Sequence, residues 1–119
     1  MGFTVAEQTT RRYTATIQDE TGAAIPAASL TTLKLTLYDR ATGAVINTRD
    51  DQNVLNANDV TVDGNGLLTW TMKPADNPIL NDALAQEHHV ALFEFTYASG
   101  AKRGQHEVDF VVRNASKVP

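Results

Sequence analysis

The stretch His88-His89-Val90-Ala91-Leu92-Phe93-Glu94-Phe95-Thr96-Tyr97 decides the fold, together with its turn through Ser99-Gly100-Ala101 and the answering run Gln105-His106-Glu107-Val108-Asp109-Phe110-Val111-Val112-Arg113. Successive side chains on a strand point to opposite faces. Ala91, Phe93, Phe95 and Tyr97 therefore share one side, and Val108, Phe110 and Val112 share the side that meets them. Two alternating runs joined by so short a turn form an antiparallel hairpin, the shape that closes a β-sandwich. A turn at Gly100-Ala101 sets Phe95 opposite His106, and a turn at Ser99-Gly100 slides the pairing by two and preserves the facing.

Outward from that hairpin the same period recurs. Thr9 to Gln18 alternates with Tyr13, Ala15 and Ile17 on one side, and Asp19-Glu20-Thr21-Gly22 turns the chain. Pro26 limits Ala23 to Leu30 to a short edge piece. Leu33, Leu35 and Leu37 alternate with Lys34, Thr36 and Tyr38, ending at Asp39-Arg40-Ala41-Thr42-Gly43, and Ala44 to Thr48 is expected to pair back as a strand. Arg49 to Asn58 is a polar connection with room for one helical turn. Val60-Thr61-Val62, a turn at Asp63-Gly64-Asn65-Gly66, and Leu68, Trp70 and Met72 make a second hairpin, which Lys73-Pro74 ends because proline cannot donate to a continuing ladder. Ala75 to Gln86 crosses between sheets, with Asn81 to Gln86 able to form a brief helix. The pattern predicts an all-β, immunoglobulin-like antiparallel β-sandwich of about seven strands over residues 9–114, with at most a short helical turn in its connections. Residues 1–8 read as an N-terminal extension and 115–119 as a tail.

Composition bounds the function. The chain has 119 residues, 42% hydrophobic, which suits one core, and no cysteine, which excludes a disulfide scaffold or a thiolate nucleophile. Met1 to Ala6 lacks the basic start and apolar run of a signal peptide, and no stretch approaches a membrane span, so neither export by the general route nor a membrane partner is expected. Net charge is −4, with the cations scattered, so a nucleic-acid partner is not expected either.

Candidate chemistry meets simpler readings. His89 stands four to six residues along the strand from the position facing His106, roughly 14 to 20 Å, and His88 and His89 point to opposite faces, so the three histidines are read as rim or core-edge residues and no metal site is assigned. Aligning Gly66 with the invariant glycine of a calcium loop puts Thr61 and Met72 where carboxylates belong. Ser99 lacks the setting of a nucleophile elbow. Burying Trp70 contributes roughly 4 to 6 kcal/mol as an upper bound, which makes it core rather than a sugar platform. No catalytic residue and no cofactor is expected. What remains unusual is the outer face of the last hairpin, where Val90, Leu92 and Val111 lie beside the acidic Glu94, Glu107 and Asp109. A solvated sheet face normally reads polar, so these six residues form the expected protein-contact face, covered by a loop, another subunit or a basic partner.

The hairpin Val60 to Met72, then Lys73-Pro74-Ala75-Asp76, the strand His88 to Tyr97, Gly100, and the closing Phe110-Val111-Val112-Arg113-Asn114 resemble small immunoglobulin-like proteins of tailed bacteriophages. Similar domains begin baseplate upper proteins or stand alone as capsid-decoration, neck or tail components. The resemblance implies a non-enzymatic virion subunit, assembled in the bacterial host cytoplasm, whose partners are other virion proteins and copies of itself. The alternative is a carbohydrate-binding module aiding adsorption, for which Tyr38 is the outward aromatic.

Overall fold

The computed structural model describes residues 3–115. Its longest elements are the two strands of the deciding hairpin, β7 (Gln86–Tyr97) and β8 (Lys102–Arg113), reached after β1 (Thr4–Ala6), β2 (Arg11–Thr16), β3 (Leu30–Asp39), β4 (Gln52–Asn53), β5 (Val60–Val62) and β6 (Leu67–Met72). The β7–β8 register sets Phe93 opposite His106 and Phe95 opposite Gly104, the pairing made by a turn at Ser99-Gly100. Gly104 is required there: a Cβ would stand 2.5 Å from the Phe95 ring, which lies over the bare backbone.

Two sheets result, β1-β8-β7-β3-β4 and β2-β6-β5. This is immunoglobulin-like order, with the first short strand running parallel to the last and every other pair antiparallel. The expected sandwich is therefore observed, with eight strands. Leu33, Leu35, Leu37, Phe93 and Phe110 from the larger sheet meet Leu68, Trp70 and Met72 from the smaller, all essentially excluded from solvent. Trp70 stacks edge-on against Phe93 and Phe110, as a core-filling indole does.

Three connections differ from expectation. Ala44 to Thr48 forms no strand; it bonds back to Leu37 and Asp39 with one bridge, Val45 to Tyr38, before positive φ at Asn47 and Thr48 breaks the run, and β4 continues the edge at Lys34 and Leu35. Asn81 to Gln86 forms no helix; it makes a single turn closed by Leu84 N–H on the Asn81 carbonyl at 3.0 Å, with the Asn81 amide taken by Glu87. The helical turns are 3₁₀ and lie at Ala27–Ser29 and Pro74–Asp76. Within the expected extension, Thr4–Ala6 joins the sandwich as β1, and within the expected tail only Ala115 is among the described residues.

Candidate functional site

The six residues of the expected contact face do share the outer side of β7 and β8, but the chain covers part of that face itself. Val90 is 2% exposed. It stands between Tyr38 and Asp109 in register, and Arg40 crosses over β7 to bond the Asp109 carboxylate. Glu94 is drawn toward Arg103 at 3.7 Å. Leu92 and Val111 remain half-buried and Glu107 exposed. Tyr38 is half-buried beside Val90, and no second aromatic side chain of β3, β7 or β8 joins it on that face.

The inner face holds something different. Counting back from Ala91 in steps of two places His89 and Glu87 inward, and counting forward from Leu37 places Asp39 inward, so one end of the core carries three polar groups. All three are buried, with ligand atoms within 4.8 Å of one another. His89 Nε2 lies 2.9 Å from Glu87 Oε1 and 3.9 Å from Asp39 Oδ1, while its Nδ1 has no hydrogen-bond partner. A carboxylate oxygen accepts, so the His89 ring donates from Nε2 to Glu87, and the ring stands edge-on against Phe110.

The carboxylates face outward from this pair and bind loops. Glu87 accepts the backbone N–H of Leu80 at 3.0 Å on both oxygens and that of Asn81 at 2.7 Å. Asp39 Oδ2 accepts the N–H of Thr42 at 3.1 Å and its hydroxyl at 2.8 Å. Asn114 adds bonds from its side-chain N–H to the carbonyls of Asp82 and Leu84. Between the two anchored loops opens a recess of about 580 Å³, walled by Ala41, Thr42 and Ala44 on one side and Leu80 and Leu84 on the other. Leu80 is 48% and Leu84 43% exposed. Open apolar walls tied down by charge-assisted hydrogen bonds make a pre-organised binding surface, and its size falls within the range of ligand and peptide pockets.

A second buried network, around Arg49, ties the β3–β4 connection to the Pro74–Asp76 turn. All five guanidinium N–H groups of Arg49 are used: two on Asp76 at 2.6 and 3.1 Å, and one each on Asp59, Gln52 Oε1 and the carbonyl of Asn58. Burial opposes the charged form, but Asp76 and Asp59 outweigh it and raise the Arg49 pKa. The hydroxyl of Tyr13 lies 2.6 Å from His106 Nε2 across the sandwich, and burial lowers the His106 pKa and raises that of Tyr13. His88, the third histidine, is exposed at the recess rim.

No protein-family model, curated protein or solved structure matches the chain. The recess residues carried a weak sequence signal: alternation alone puts Asp39, Glu87 and His89 on the core side. Leu80 and Leu84 lie in an aperiodic crossover, where no period indicates which side chains stay exposed.

Proposed function

We propose that this protein is a non-enzymatic structural subunit of a phage particle, a capsid-decoration or head–tail or tail accessory protein that attaches by protein–protein contacts. The observation that carries the docking role is the anchored recess with Leu80 and Leu84 exposed on its wall, because apolar side chains grouped on a rigid rim are stabilised by covering them. The phage setting rests on the resemblance in strand order and turn placement, together with a cysteine-free acidic chain suited to assembly in a bacterial cytoplasm. The rest of the molecule supports a binding role, since the buried polar groups of the Arg49 and Glu87 networks are occupied in holding loops. Repeated contacts around a symmetric particle let each interface be modest.

The test is co-sedimentation of labelled protein with particles of a phage that encodes it. Wild type is expected in the particle fraction, and the Leu80→Glu/Leu84→Glu variant is expected to lose at least tenfold in bound fraction while keeping its melting temperature. Wild-type protein that stays at the top of the gradient, or binding to a glycan array in its place, would overturn the reading.

A further inference from the structure

A sandwich with two open sheets has four edges, and three of them here are short and occupied. β4 has two residues. β5 has three, and its outward amides are taken, Val62 N–H by Asn56 Oδ1 at 2.8 Å and Val60 N–H by the carbonyl of Ala57. β1 also has three, and its outward carbonyls at Thr4 and Ala6 accept from Arg11 and the Thr9 hydroxyl. The fourth edge is β2, six residues long, with no proline and no bulge. Ile17 N–H bonds the carbonyl of Gly66, so the residues in phase with it, Arg11, Tyr13 and Ala15, direct their backbone groups toward β6. Arg12, Thr14 and Thr16 direct theirs away from it, and no other strand meets them among the described residues.

We propose that this edge pairs with the same edge of a second copy, antiparallel and about a two-fold axis through Thr14, to give a dimer with a continuous six-stranded sheet. The register is self-complementary. Thr14 meets its own copy, a favourable cross-strand pair, and Arg12 meets Thr16 of the second copy. The two Arg12 side chains are then four residues apart along the strands, about 13 Å, beyond the range at which they repel strongly in physiological salt. On the other face Tyr13 meets Ala15 of the second copy. Both are half-buried in the single chain, and pairing covers them further. A shift by one residue would move backbone groups out of phase, and a shift by two would keep the phase but pair only two of the three open residues, so the axis through Thr14 uses the most open N–H and C=O groups. Edge pairing buries a small area, and the dimer is therefore concentration-dependent.

Sedimentation velocity on the intact chain tests this. The weight-average mass should climb from 12.9 kDa toward twice that value as concentration rises from about 1 μM to about 1 mM. Amide exchange should slow with concentration at Arg12, Thr14 and Thr16 but not at Tyr13 and Ala15. Thr14→Pro is compatible with a free edge because that N–H faces away from β6, and it should abolish the dimer. Thr14→Lys, at an exposed position, places like charges across the axis and should weaken it at least tenfold; it serves as the deciding variant should the proline variant lose its fold by circular dichroism. A wild type that stays monomeric throughout, or a dimer unaffected by Thr14→Lys, would overturn the proposal, as would binding of some other protein's strand to an edge that never self-pairs.

Discussion

Arg49 exerts the strongest single-residue control on this structure. It is 2% exposed and joins the loop Asn47 to Asp59 to the Pro74–Asp76 turn, while its guanidinium lies 5.9 Å from the Trp70 ring. Removing it leaves the fully buried Asp76 carboxylate without a cation, which is far costlier than never having placed a charge there. Arg49→Met is expected to cost about 3 to 5 kcal/mol, measured by urea denaturation, and Arg49→Met/Asp76→Asn to recover part of that loss. His106 is one group that links stability to pH over the neutral to mildly acidic range. Burial holds its folded pKa below the ordinary 6.5, so the stability it contributes is present above 6.5 and lost as pH falls through the lower folded value. Thermal melts from pH 7.5 down to pH 5 should show wild type losing stability faster than His106→Phe; parallel curves would place the acid sensitivity elsewhere.

At the scale of elements, loops here are ordered by buried side chains rather than by secondary structure. Among the described residues, six of the nine non-glycine residues with positive φ lie between Asn47 and Asp59, a run of backbone that Arg49 bonds at Gln52, Asn58 and Asp59. Glu87 does the same for Leu80 and Asn81. Glu87→Ala should raise amide exchange at Leu80 and Asn81 by about tenfold or more while exchange at Phe93 and Phe110 is unchanged, since bonds to a charged acceptor contribute roughly 1.5 to 3 kcal/mol each. If those amides exchange at the wild-type rate, the recess wall is held by other contacts.

For the molecule as a whole, the recess between the anchored loops and the open edge of β2 lie on different sheets, so attachment through the first, as proposed, leaves the second open for the proposed pairing. Much of the architecture was legible from alternation: β3, β6, β7 and β8 all have a core face that repeats every second residue, and period two is a local property that survives without knowledge of neighbours. Asp39 was expected in a turn and Glu87 ahead of its strand, because the alternation runs one or two residues past where the turn residues suggest it stops, and Asp39 meets Glu87 and His89 only when β3 and β7 pair. The connections were less legible. Ala44 to Thr48 bonds back to Leu37 and Asp39 yet makes one bridge, because the chain turns through positive φ at Asn47 and Thr48, and Asn81 to Gln86 closes a single turn, Leu84 N–H to the Asn81 carbonyl, with the Asn81 amide taken by Glu87. The amino-acid order alone determined a cysteine-free, all-β sandwich with Trp70 and the paired hairpin faces at its centre. Only the tertiary structure decided that Val90 is covered by Arg40, that Leu80 and Leu84 stay open, and that β2 is the uncapped edge, because exposure at those places depends on which distant segment arrives to cover them.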